Sequence, residues 1–67
     1  MAESREALQQ LAEAVRSACL IAAREGYQDA AISGLCGEGA QEAAISAIQM
    51  VNLERIISNT VTVVAER

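Results

Sequence analysis

The chain has 67 residues and a formal net charge of −4, and its five basic residues are all arginine. A chain of this length forms a single domain, 1–67, that buries only about 60% of the surface exposed when it is unfolded. The acidic balance argues against direct binding to nucleic acid, which requires a basic face. The longest apolar run, residues 18–23, is far shorter than the roughly 20 residues of a membrane span. A soluble protein is therefore expected, without a membrane or nucleic-acid partner.

The apolar composition overstates the core that this chain can build. Hydrophobic residues make up 52% of the sequence, but alanine is the commonest of them and Tyr27 is the only aromatic residue. Ordering each residue costs about 1.5 kcal/mol of conformational entropy, so a monomer with few bulky side chains is expected to be marginally stable. Association with another chain is the expected source of further burial.

The two cysteines are predicted to be buried free thiols. The first ten residues, MAESREALQQ, are acidic and polar, unlike the basic and then apolar start of a signal peptide. We therefore expect a cytoplasmic, reducing environment for Cys19 and Cys36, both of which have apolar neighbours. A disulfide between them is the alternative. The chain has no histidine and no paired-cysteine motif, so no metal site and no cofactor are predicted.

The first helix is predicted to begin near Ser4, whose hydroxyl would cap its first turn. Around Leu20 and Ile21 it is apolar on every side, which indicates a second covered face. Gly26 either ends this helix or lies within it, and the helical spacing that follows favours continuation or a brief kink. Apolar residues at spacings of three and four form one stripe: Leu8, Leu11, Val15, Ala18, Cys19 and Ala22.

The glycine-rich segment ISGLCGEGA, residues 32–40, is interpreted as a hinge between two helices. Gly34 or Gly37 would close the first helix, and Gly39 would cap the next one, predicted over 40–51. A phosphate-binding loop would need a lysine, which the chain lacks. A nucleophilic Cys36 would need a base, and the carboxylate of Glu38 is expected to raise the pKa of the thiol. No catalytic residue is predicted.

The second helix has a face of small residues that is expected to pack closely against the first helix. Asn52 then interrupts the pattern and is predicted to cap a third helix, with Glu54 in its first turn. The β-branched run 60–64 leaves a strand as the alternative for the end of the chain. The small face of the second helix comprises Ala40, Ala43, Ala44, Ala47, Ile48 and Val51.

These patterns predict an all-α fold, a three-helix unit made of a helical hairpin and a C-terminal amphipathic helix, completed by oligomerisation. The functional hypothesis is a small interaction protein, either a homo-oligomer or an accessory subunit that docks on a larger protein assembly. Its candidate interaction face consists of Leu53, Ile56, Ile57, Val61, Val64, Leu20 and Ile21.

Two other functions stay open at this point. An acidic decoy could occupy the basic groove of a nucleic-acid-binding protein through Glu38 and Glu42, one turn apart, and through Glu25 and Asp29. A small enzyme would need a pocket shared between subunits, because small ligands require about 300 Å³ or more. Activity as an enzyme is not expected.

Overall fold

The computed structural model describes the backbone of residues 2–65 and the side chains of residues 5–60. Over that range the chain forms three α-helices: α1 (Ala2–Ile32), α2 (Gly37–Gln49) and α3 (Leu53–Ala65). The predicted all-α fold is therefore confirmed. The strand alternative for 60–64 is wrong, because these residues all lie within α3.

Helix α1 runs unbroken for 31 residues, so the predicted continuation through Gly26 is confirmed. The helix begins at Ala2, two residues before Ser4, so the predicted cap is wrong because Ser4 lies inside the first turn. Ala2 and Glu3 are both good helix formers, which explains the earlier start. The side chain of Ser4 lies outside the described residues.

Gly34 closes α1, and it is one of the two glycines predicted to end this helix. It has a φ of +96°, in the left-handed region that favours glycine. The amide of Leu35 donates to the carbonyl of Ala30, and that of Gly34 to the carbonyl of Ala31, both at 3.0 Å. These two bonds form a Schellman motif, which satisfies carbonyls that the helix end leaves free.

Cys36, not Gly39, is the N-cap residue of α2. Its backbone is extended, with φ −73° and ψ 172°, and its carbonyl accepts the first helical bond from the amide of Ala40 at 2.8 Å. Helix α2 consequently begins at Gly37, three residues before the predicted start, and Gly39 lies in its first turn. The reason is that the Schellman motif uses only the residues up to Leu35, which leaves Cys36 as the one residue before the next helix.

The connection between α2 and α3 agrees with the sequence. Helix α2 ends at Gln49, and the amide of Met50 donates to the carbonyls of Ser46 and Ala47. The Oδ1 atom of Asn52 accepts a hydrogen bond from the amide of Arg55 at 3.0 Å. This side-chain bond at the third helical position is the usual N-cap bond, so the predicted cap of α3 is confirmed.

Residues 18–51 form one compact unit, in which the second half of α1 packs against α2. The helices approach each other closely at Gly26. A Cβ atom placed there would lie 2.8 Å from the Cβ of Ala47 and 3.0 Å from the carbonyl oxygen of Ala43. The predicted close packing of the alanine face is therefore confirmed. The fully buried hydrophobic side chains of this unit are those of Ala30 and Ala40.

In the other compact unit, the first half of α1, up to Ser17, packs against α3. No side chain described in this unit is fully buried. The predicted stripe on α1 is partly wrong here, because Leu8 is 65% exposed while its neighbour Ala7 is half-buried. Leu11 and Val15 are half-buried, in agreement with the prediction.

Candidate interaction surface

The apolar stripe of α3 is divided lengthwise between covered and exposed residues. Ile56 and Thr60, one turn apart, are half-buried. Leu53 and Ile57, also one turn apart, are 54% and 41% exposed. Side chains at positions i and i+4 stand above one another on a helix, so Leu53 and Ile57 form an exposed apolar ridge beside the covered one. The predicted face residues Val61 and Val64 lie outside the described side chains.

The other two predicted face residues are exposed on α1. Leu20 is 56% exposed and Ile21 is 52% exposed, whereas the next residues, Ala22 and Ala23, are half-buried. Successive residues of a helix point about 100° apart, so Leu20 and Ile21 lie on different sides of α1. Leu20 belongs to the same side as Tyr27, seven residues later, which is 45% exposed.

Sequence reasoning missed several exposed apolar residues at and near α2. Ile48 was assigned to the face packed on α1, yet it is 38% exposed. Ile45 precedes it by three residues and continues the same side of the helix. The signal for this pair was available, because Ile45 and Ile48 are the only bulky aliphatic residues of α2. The missed residues are Ile32 (83% exposed), Leu35 (52%), Ile45 (50%) and Met50 (82%).

Cys36 differs from its prediction in both exposure and electrostatics. Both cysteines are free, but Cys19 is half-buried within α1, whereas Cys36 is exposed because it lies in the short connection between α1 and α2. The backbone N–H groups of Gly39 and Glu38 lower the pKa of the Cys36 thiol below its usual value. The side chain of Cys36 forms no N-cap hydrogen bond, so the pKa is lowered by the dipoles of these amides at the helix N-terminus. The expected increase caused by Glu38 is therefore wrong.

The acidic residues considered for a decoy function are all on the surface. Glu25, Asp29, Glu38 and Glu42 are exposed. Among the described residues, no cluster of three or more histidine, cysteine, aspartate or glutamate side chains could hold a metal ion. Exposure of this kind is equally typical of a solvated helical surface.

An open depression of about 480 Å³ lies along the first half of α1. Among the residues with described side chains, its lining includes Gln9, Gln10, Ala12 and Glu13. Glu13 forms an exposed ion pair with Arg16, in which Nη1 and Oε1 are 3.4 Å apart. These four residues include neither a nucleophile nor a pair of groups suited to acid–base chemistry.

No protein-family model, no curated protein and no solved structure matches this chain. Over the part of the chain that the structure describes, no helix has both the length and the apolar character needed to cross a membrane.

Proposed function

We propose that this chain is a small helical interaction protein, whose apolar helix faces are covered by another protein chain. It would act as a homo-oligomer or as an accessory subunit docked on a larger protein assembly. A cytoplasmic location belongs to the same proposal, since Cys19 and Cys36 are free thiols and free thiols are usual in reducing compartments.

The observation that carries the proposal is the contrast between what is buried and what is exposed. The fully buried hydrophobic side chains are Ala30 and Ala40, and no large side chain among the described residues is fully buried. A single exposed leucine is ordinary in a soluble protein. The described bulky aliphatic side chains all remain partly exposed, and alanine contributes little apolar area, so the described core is incomplete.

The exposed apolar side chains could add substantially to the stability of a domain of this size if another chain covered them. Full burial of a leucine or isoleucine side chain contributes about 1.5–3 kcal/mol. Four such side chains are each roughly half exposed: Leu53, Ile57, Leu20 and Ile21. Each therefore contributes only about half of that hydrophobic stabilisation. Several kcal/mol are comparable with the whole stability of a small domain, which is about 0.05–0.15 kcal/mol per residue.

Replacing Ile57 by glutamate in the full chain tests the proposal. Asn59→Glu is the matched control, because Asn59 is exposed on the polar side of α3 and receives the same charge. Affinity-tagged wild type and both variants would be purified from their native cells, and the masses of the native assemblies compared. We expect wild type and Asn59→Glu to share an assembly larger than the 7.0 kDa chain and Ile57→Glu to lose it. A folded wild-type chain that associates with nothing, itself included, would contradict the proposal.

A further inference from the structure

The accessible surface of the chain is large for its mass. A folded monomer of 7.0 kDa is expected to expose about 4,000 Å², from the scaling of surface with mass, whereas this chain exposes 5308 Å². The excess is about 1,300 Å², and a stable protein–protein interface takes about 800 Å² from each partner. This surplus is comparable with one partner's share of a standard interface.

Charge decides which exposed apolar surface a second copy can cover. In a two-fold dimer each face meets an identical face, so a face with net charge would oppose the same charge. Helix α2 carries Glu38 and Glu42 and no basic residue. Helix α3 carries one acidic and one basic residue, Glu54 and Arg55, and is neutral. Self-association through α3 consequently brings no net charge repulsion between the two helices, whereas self-association through α2 does.

The exposed ridge of α3 suits such an arrangement. Leu53 and Ile57 project together, one turn apart, while Ile56 and Thr60 are already half-covered. Two copies of the ridge packed side by side bring four bulky aliphatic side chains together. A short apolar ridge that is too small to form a core alone gains the most from meeting its own copy.

We infer that the ridge formed by Leu53 and Ile57 is covered by a second copy of this chain, in a two-fold dimer that packs α3 against α3. This inference rests on the proposed interaction function and names its partner. It specifies a homodimer, where the proposed function allows any protein assembly.

Leu53→Glu is the most discriminating variant, because its expected effect on stability is favourable in a monomer and unfavourable in the dimer. Leu53 is the first residue of α3, where a negative charge interacts favourably with the helix dipole, and the cap bond from Asn52 is retained. In a monomer the variant should keep or raise the melting temperature. In the dimer it places two carboxylates in an apolar contact without partners, and it should dissociate the dimer.

The experiment measures native mass and melting temperature for purified wild type, Leu53→Glu and the control Asn59→Glu over a hundredfold range of protein concentration. We expect wild type and control to have twice the chain mass and a Tm that rises with concentration, as linkage of folding to association requires. Leu53→Glu should be monomeric or should unfold at a lower temperature. The two wild-type measurements decide whether a homodimer forms even if Leu53→Glu does not fold.

Two results would overturn the inference. A folded wild-type monomer with a Tm independent of concentration excludes the homodimer. If that monomer still binds another protein, and Ile57→Glu abolishes the binding, the interaction function stands and only the second copy is wrong. A wild-type dimer that Leu53→Glu leaves intact excludes α3 as its interface.

Discussion

Gly26 of α1 and Ala47 of α2 are in such close approach that a methyl group on Gly26 would lie 2.8 Å from the Cβ atom of Ala47. The same methyl would lie 3.3 Å from the Cα of Ala44. Real Cβ atoms do not approach each other this closely, so the backbones of two helices would have to separate. This contact explains why a glycine stands in the interior of a long helix, where it costs about 1 kcal/mol relative to alanine.

Gly26→Ala is therefore expected to destabilise the protein in spite of its better helix propensity. Overpacking costs about 1–3 kcal/mol, and a contact of 2.8 Å is short enough that we expect the cost to exceed the gain in propensity of about 1 kcal/mol. Thermal unfolding at fixed protein concentration measures the difference.

Gly39→Ala is the control for this experiment. Its methyl would meet the side chain of Leu35 at an ordinary contact distance of 3.5 Å, so the gain in helix propensity is not opposed. We expect Gly39→Ala to be as stable as wild type or more stable. A Gly26→Ala variant that gained as much stability as Gly39→Ala would show that α1 and α2 have room between them.

A second prediction concerns the cap of α2. Cys36 occupies the N-cap position but makes no side-chain cap bond, and serine is among the preferred residues there. Cys36→Ser should be more stable than Cys36→Ala by about 1 kcal/mol. In a domain of this size that corresponds to roughly 4–8 °C in melting temperature. Equal melting temperatures for the serine and alanine variants would mean that the first-turn amides are satisfied without a cap.

The parts of the fold that the sequence predicted correctly depend on local chemistry. Asn52 has a side chain that caps helices, and Glu54 follows it in the first turn, so the start of α3 could be predicted from neighbouring residues. Gly34 was one of two predicted closing positions, because only glycine adopts its φ without strain. The spacing of apolar residues separated helix from strand in α3, against the β-branched composition of 60–64.

The errors in and around the connection between α1 and α2 have a common physical cause, which is that they depend on where elements meet. The cap of α2 moved from Gly39 to Cys36 because the closure of α1 fixes how many residues remain before the next helix. The same connection exposes Cys36, although its neighbours in sequence suggested burial. The helical spacing favours continuation through Gly26, but the contact of Gly26 with Ala47 joins residues that are 21 positions apart, and no local pattern reports it.

The last prediction is the pH dependence of the Cys36 thiol. The amides of Gly39 and Glu38 favour the thiolate only when α2 is folded, so the pKa of Cys36 is lower in the folded chain than in the unfolded chain. The contribution of this group to stability is therefore present above the unfolded pKa and is lost as the pH falls through the folded pKa.

Alkylation of Cys36 by iodoacetamide, followed by peptide mass spectrometry from pH 6 to pH 10, measures the shift. The rate follows the thiolate fraction, so its midpoint should lie at a lower pH in the folded protein than in the same protein unfolded in urea. The midpoint is a better measure than the rate at one pH, because a thiolate of lower pKa is also intrinsically less nucleophilic. Identical midpoints in the folded and unfolded chains would contradict the effect of the α2 amides on Cys36.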